Sequence, residues 1–249
     1  MTRRQARVLV VGAGGLGCPA LLALAHAGVG SIGLCDDDVV ERANLHRQIL
    51  FDDGDVGSLK LDAAVRALKG VAPAVQVTLH RTRLLPKTAL AIVREYDVVL
   101  EGSDNFATKF LAADACILAR VPVVHASAVR WIGTAFAVGA EGAPCYRCLF
   151  EDLPQDDAPN CAEAGVMGPV VGVVAAAQVD LALELLDGSG AQGQIVTFDG
   201  RRDVLRRRLV RGRADCPLCG HDPSIRTLDE ARYTSPVGYV ENVAPASTG

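Results

Sequence analysis

Apolar residues follow two rhythms along this chain. Runs of strand length recur at Arg7–Val11, Ser31–Cys35, Gln76–Leu79, Asp97–Glu101 and Val121–Ala126, and helical patterns fill the gaps at Leu16–Ala27, Lys60–Lys69, Lys87–Arg94 and Ala107–Arg120. Strand and helix alternate, which predicts a Rossmann-like, doubly wound α/β fold with a mostly parallel sheet over residues 1–130. After Trp131 the pattern changes to short β segments, a polar stretch from Glu151 to Ala164, and a small-residue helix opening near Pro169. Proline is favoured in a helix's first turn. The expectation is one domain, 1–249, in which an added antiparallel β portion occupies 131–220 and a weakly ordered tail runs from 221 to 249.

The chain has 249 residues, half of them apolar, enough for a substantial core. A net charge of −4 offers no nucleic-acid footprint, and the one basic run, Arg206-Arg207-Arg208, reads as a solvated strand or loop. With no export signal and no apolar run of about 18 residues free of charge, no membrane partner is expected and the location expected is the cytoplasm. In that reducing compartment the eight cysteines are metal ligands, core residues or a nucleophile rather than disulfides. Cys18, Cys35 and Cys116 fall inside apolar patterns and read as core. Cys145-Tyr146-Arg147-Cys148 and Cys216-Pro217-Leu218-Cys219 form two Cys-x-x-Cys pairs, whose short turns suit a structural zinc with four thiolates about 2.3 Å from the metal.

The first strand runs into Gly12-Ala13-Gly14-Gly15-Leu16-Gly17, a GxGxxG whose glycines permit a tight turn and close approach of backbone N–H groups to phosphate. The second ends in Asp36-Asp37-Asp38, where an acid meets a ribose in doubly wound sheets. By itself this also describes an NAD-dependent oxidoreductase. Asn44, Arg47, Gln48 and Lys60 separate the readings, because hydride transfer has little use for an Arg and a Lys converging on a phosphate tail. Like charges 4 Å apart repel by about 4 kcal/mol at an effective dielectric near 20, so a carboxylate attacking ATP needs the triphosphate's charge offset. Asp104, just past a buried strand, stands where a magnesium ion takes one carboxylate plus phosphate oxygens. Its competing role is capping of the helix that follows. No group in the sequence suggests acid/base machinery.

These segments resemble the ThiF/MoeB/HesA adenylyltransferases, bacterial relatives of the ubiquitin-activating enzymes. The match includes GxGGLG, Asp36 to Gln48, Lys60, Ser103-Asp104-Asn105, both Cys-x-x-Cys pairs, and Asn160 to Gly172, in order over nearly the whole chain. Arg47 to Phe51, Gly168 to Gly172 and Phe198-Asp199-Gly200 lean toward ThiF, while Ile225 to Leu228 is similar to the tail of MoeB-type members. The resemblance implies that ATP adenylylates the C-terminal glycine of a small ubiquitin-like sulfur-carrier protein, of ThiS or MoaD type and ending in Gly-Gly. Thiocarboxylate formation for thiamine or molybdopterin then follows, by a homodimer with a sulfurtransferase as a further partner. It assigns the first half to the nucleotide and 131–220 to the carrier and zinc. Gly12, Gly14, Gly15, Gly17, Asp36 and Asp38 belong to the nucleotide site, with Asp36 on the ribose; Asn44, Arg47, Gln48 and Lys60 meet phosphates, and Asp104 holds magnesium.

Four departures stand out. The family's Asp-Cys-x-Asp-Asn is Glu101-Gly102-Ser103-Asp104-Asn105 here, its following Arg is Lys109, and a later Asn is Ala113. The family's opening helix, with an arginine serving the partner subunit, has no counterpart; Arg3, Arg4 and Arg7 are what stands near the first strand, and Arg7 is expected to be committed to it. Cys161, in the polar stretch outside both metal pairs, is the candidate nucleophile or sulfur-transfer thiol. Together these departures keep a catalytically weak carrier-binding module as a further alternative.

Overall fold

The five apolar runs become strands β1 (Arg7–Val11), β2 (Ser31–Cys35), β3 (Gln76–His80), β4 (Val98–Glu101) and β5 (Val123–Val129) in the computed structural model, which describes residues 2–153 and 164–233. They pair in parallel in the order β3-β2-β1-β4-β5. Strands β6 (Ile132–Val138), β7 (Gln194–Asp199) and β8 (Val204–Leu209) then extend the sheet antiparallel, giving eight strands. The expected mostly parallel sheet with an antiparallel addition is therefore one continuous layer.

Helices cover both faces. Val8 and Val10 of β1 enter a core with α1 (Gly17–His26), α2 (Lys60–Val71) and α6 (Gly168–Asp187), while Leu9 and Val11 enter another with α3 (Pro86–Val93), α4 (Phe106–Ala119) and α5 (Tyr146–Leu149). Burial on both sides is why β1, β2, β4 and β5 read as nearly unbroken apolar runs, whereas β3, at the sheet edge, has no buried residue. Cys18, Cys35 and Cys116 are core residues, and burial pushes the Cys18 and Cys35 thiols up to about 12 and Cys116 higher still.

Among the described residues, helix α6 is long and apolar enough by composition to cross a membrane, yet Asp180 and Glu184 fall within it, so it is not a charge-free run. In the fold it serves as a core helix: Val170, Val174 and Leu181 are buried, and the Gln178 amide donates to the carbonyls of Glu101 and Val124 at 3.0 and 2.8 Å. Proline 169 sits in its first turn and Gly188, at φ 71°, ends it.

The described part of the tail, 221–233, is also packed more firmly than the sequence suggests. Ile225 and Tyr233 are buried, and the Tyr233 hydroxyl donates to Asp114 Oδ2 at 2.8 Å. Asp114 also takes a two-pronged ion pair from Arg147 at 2.7 and 2.9 Å. Two apolar anchors eight positions apart leave no periodicity to read, which is why this docking was missed. At the other end, Arg7 opens β1 and its backbone N–H donates to Asp97 at 2.8 Å, as expected of a residue committed to the strand. The Arg206–Arg208 run lies on the exposed edge strand β8.

The glycine turn after β1 depends on two backbones meeting. Gly12 has φ +92°, and a Cβ on Gly17 would stand 2.0 Å from the Gly12 carbonyl oxygen. Gly17→Ala is expected to lower the urea midpoint by the equivalent of roughly 1–3 kcal/mol, because neither backbone can yield without shifting β1 or α1.

Candidate functional site

Strands β1 and β4 are neighbours whose onward connections leave to opposite sides, and in open α/β sheets the crevice at the carboxyl ends of such a pair takes the ligand. A cleft of about 360 Å³ lies there. Gly12, Gly14, Gly15, Asp36, Asp38, Asn44, Arg47, Gln48, Lys60 and Asp104 all line it, so of the nucleotide-site candidates only Gly17 stands back, buried under the turn.

Each side chain is held in a distinct way. Asp36, at the end of β2, accepts the Ala13 N–H at 2.7 Å and the Asp38 N–H at 2.8 Å, tying the acidic turn to the glycine loop. Burial raises its carboxyl above the usual range, while Lys60 and those two amides act against the rise. Lys60 is buried at the start of α2 with Nζ 2.8 Å from Asp38. Burial alone would lower its ammonium, but Asp36 and then Asp38 hold it above the ordinary lysine value, so the cleft keeps a fixed positive charge. The Arg47 stem packs on Gly15, where a Cβ would stand 3.2 Å from Arg47 Cδ, and no carboxylate among the described residues pairs with its guanidinium. Gln48 is 2 % exposed and its Oε1 has no hydrogen-bond partner among the described residues. Asn44 donates to Glu41 at 3.1 Å.

Asp104 is exposed at the mouth of the cleft, and its carboxylate accepts no hydrogen bond from the described residues. The capping role falls to its neighbour: Asn105 Oδ1 accepts the Thr108 N–H at 2.8 Å at the start of α4. A single open carboxylate facing a cationic cleft fits what magnesium requires when phosphate oxygens complete its shell.

Behind Asp104 lies a cluster that the sequence did not reveal. Glu101, the last residue of β4, is fully buried beside Lys109 of α4 and His125 of β5. Lys109 Nζ donates to Glu101 Oε2 at 2.9 Å and to the Ala126 carbonyl at 2.6 Å. Glu101 Oε1 takes the Ser103 N–H at 2.7 Å and the Ser103 hydroxyl as well, which anchors the loop carrying Asp104. His125 Nδ1 is 3.2 Å from Glu101 Oε2, and burial lowers its pKa, so the ring is neutral at pH 7. Glu101 and His125 are register partners in adjacent parallel strands, so aligning the ends of β4 and β5 was the signal available. His125 reads as one more strand residue until that pairing is known.

Burial by itself would raise the Glu101 carboxyl, but the Lys109 charge and the His125 and Ser103 contacts bring it down to about 2, from an ordinary 4.5. A depressed carboxylate stabilises the fold fully above its unfolded value and ceases to as pH falls through the folded one. Between about pH 4.5 and 2 it should therefore cost up to about 1.4 kcal/mol of stability per pH unit. Glu101→Gln is expected to flatten that part of the stability profile relative to the parent chain; identical acid slopes in denaturant titrations would count against the assignment.

The second cluster is made of sulfur. Cys145–Cys216 and Cys148–Cys219 Sγ distances are both 3.5 Å, Cys145–Cys148 is 4.0 Å, and all four atoms lie within 4.8 Å of one another. Thiolates about 2.3 Å from a tetrahedral zinc would be about 3.8 Å apart, so the four residues fit that ion. The interaction between Cys145 and Cys219 lowers the Cys219 thiol and raises that of Cys145, so the sulfurs titrate together, and the Arg213 N–H donates to Cys148 Sγ at 3.4 Å. Cys161 lies outside the described residues.

Comparison with known proteins gives consistent matches. Residues 2–218 match the model of the ThiF family. The adenylyltransferase and sulfurtransferase MOCS3 of Culex quinquefasciatus is 41% identical over 229 residues, and that of Mus musculus 44%; both alignments cover 90% of this chain but 52% and 50% of the relative. The chain thus spans about half the length of these relatives. Among solved structures, Escherichia coli MccB with ATP superposes with a TM-score of 0.76 at 23% identity, covering 88% of this chain and 68% of that one, a likeness of fold.

Proposed function

The chain belongs to the ThiF family, and from that premise we propose that it is a cytosolic adenylyltransferase for a small ubiquitin-like carrier protein of ThiS or MoaD type. The observation that carries this reading is the cleft itself, where the cations Arg47 and Lys60 and the open carboxylate of Asp104 face a glycine turn at the sheet's switch point. The named relatives are adenylyltransferases, which sets the nicotinamide reading aside.

In the proposed reaction, a carboxylate oxygen of the carrier's C-terminal glycine attacks the α-phosphorus of ATP. The bond to the bridging oxygen breaks, and pyrophosphate leaves with the electron pair. Asp36 holds the ribose hydroxyls. Gln48, with Oε1 unpartnered among the described residues, and Asn44 flank the phosphates, and Arg47 and Lys60 offset the charge that would repel the incoming carboxylate. Asp104 would hold magnesium, which when bound supplies further neutralisation of the phosphate charge. Catalysis then rests on positioning and electrostatics.

Cys145, Cys148, Cys216 and Cys219 would hold a structural zinc with no open ligand position. Cys161 would serve the later sulfur-transfer step, and the working form would be a homodimer. The supply of adenylated carrier to thiocarboxylate chemistry, for molybdopterin or thiamine, completes the proposal. Its test is ATP–pyrophosphate exchange with ThiS- and MoaD-type carriers ending in Gly-Gly. Exchange that requires a carrier is the expected result; carrier and ATP binding without exchange would favour the binding-module alternative.

A further inference from the structure

A side pocket of about 270 Å³ adjoins the nucleotide cleft and shares Leu16, Ser103, Asp104, Asn105 and Ala128 with it. Phe106, Phe136, Tyr146, Phe150 and Ile195 make its walls largely apolar, and His125 is part of them. The His125 ring packs against Tyr146 with centroids 4.5 Å apart. It is 3 % exposed, with Nδ1 on Glu101 and, among the described residues, no hydrogen-bond partner for Nε2.

The geometry fixes what that atom can do. An ionised carboxylate only accepts, so Nδ1 carries the ring proton and donates it to Glu101. Nε2 is therefore an acceptor, pre-set by Glu101 and, through Glu101, by Lys109. Nε2 itself is closed off from solvent, so a donor entering the pocket reaches it only as the aromatic wall around it, Tyr146 included, gives way, and pairing a buried acceptor that otherwise has none favours that shift. Phosphate and carboxylate groups bring none. An extended peptide brings one N–H per residue, within a few ångströms of its own C-terminal carboxylate, and the pocket meets the cleft where that carboxylate must arrive.

We propose that His125 is a positioning residue for the carrier, its Nε2 accepting a backbone N–H from the last few residues of the carrier's C-terminal tail as the tail lies in the side pocket. This rests on the adenylation reading above and adds to it a contact made by a residue the family resemblance did not single out. Glu101 and Lys109 act through His125 rather than on the substrate, which gives the Glu and Lys at these two departures from the family pattern a shared purpose.

The test is steady-state exchange with the full chain and a carrier ending in Gly-Gly. In parallel, semisynthetic carriers replace the N–H of each of the last three residues, one at a time, by an ester oxygen. His125→Phe is expected to raise the carrier's KM about tenfold, the worth of one hydrogen bond, with kcat and the KM for ATP within about twofold. His125→Gln, which retains an acceptor, should restore most of the loss. One ester carrier should lose about tenfold against the parent chain and nothing further against His125→Phe. An unchanged carrier KM in His125→Phe, or ester losses equal in both chains, overturns the His125 role while leaving adenylation standing. If the phenylalanine chain does not fold, the ester series on the parent chain decides, since no ester loss there overturns the contact. Absence of exchange by the parent chain with every carrier overturns the adenylation reading and this contact with it.

Discussion

Cys216→Ser is expected to unfold the zinc-side half of the chain, with loss of the bound metal. Cys216 is completely buried in the sulfur cluster, so its loss cannot be made good by water. Structural zinc contributes apparent free energies of about 10–16 kcal/mol in small peptides, as much as or more than the 5–15 kcal/mol that holds a typical domain. The elements at risk are those the cluster ties together: α5, the turn around Leu218, and the segment that carries Ile225 and Tyr233 onto α4. Metal analysis should find one zinc per parent chain and little in the variant, alongside a fall in melting temperature and loss of near-ultraviolet circular dichroism. A parent chain purified without chelator that holds no zinc, and a variant that melts with it, would remove the metal from the proposal.

Asp104→Ala should reduce carrier-dependent exchange by about 10²–10³-fold, the usual effect of removing one pre-set electrostatic group from a charge-stabilising site. The fold should be untouched, because the side chain is exposed and accepts no hydrogen bond from the described residues. That separates it from Lys60, whose ammonium is buried against Asp38 and whose removal would disturb structure as well as charge. Exchange and melting temperature measured on the same preparation give the comparison. Full activity in Asp104→Ala would move magnesium to other ligands, with the Asp36-Asp37-Asp38 turn the next place to look.

Much of this was legible in the sequence, for identifiable reasons. The parallel half was readable because its strands, the edge strand β3 excepted, are buried on both faces and are punctuated by helices of helical period. That these residues would line one cleft was readable because a glycine turn after a strand has few other uses. Thiol pairs at metal spacing announce themselves, and the four sulfurs converge as expected. What escaped notice depends on contacts between segments far apart in the chain. The His125–Glu101 pairing requires knowing that β4 and β5 are neighbours in register, and the Tyr233–Asp114–Arg147 contact joins three distant segments with no shared pattern. Asp104 and Asn105 illustrate a finer limit: composition showed a capping cluster, but only the backbone direction decides which of the two caps α4.

The way α6 lies against the sheet bears on how this protein could be divided. Reading along the chain suggests a cut after Trp131, with a nucleotide module before it and a carrier module after it. In space α6 belongs to the first module as much as to the second. It packs on β4, β5, β6, β7 and α1, and its Gln178 satisfies the carbonyls of Glu101 and Val124. A fragment ending at Trp131 would leave that stretch of sheet bare and those two carbonyls unmet. The halves are therefore not exchangeable parts. A chimera that grafts the second half of one relative onto the first half of another would have to bring a matching helix face, and a split-protein reporter built here should regain its nucleotide cleft only when both pieces reassemble.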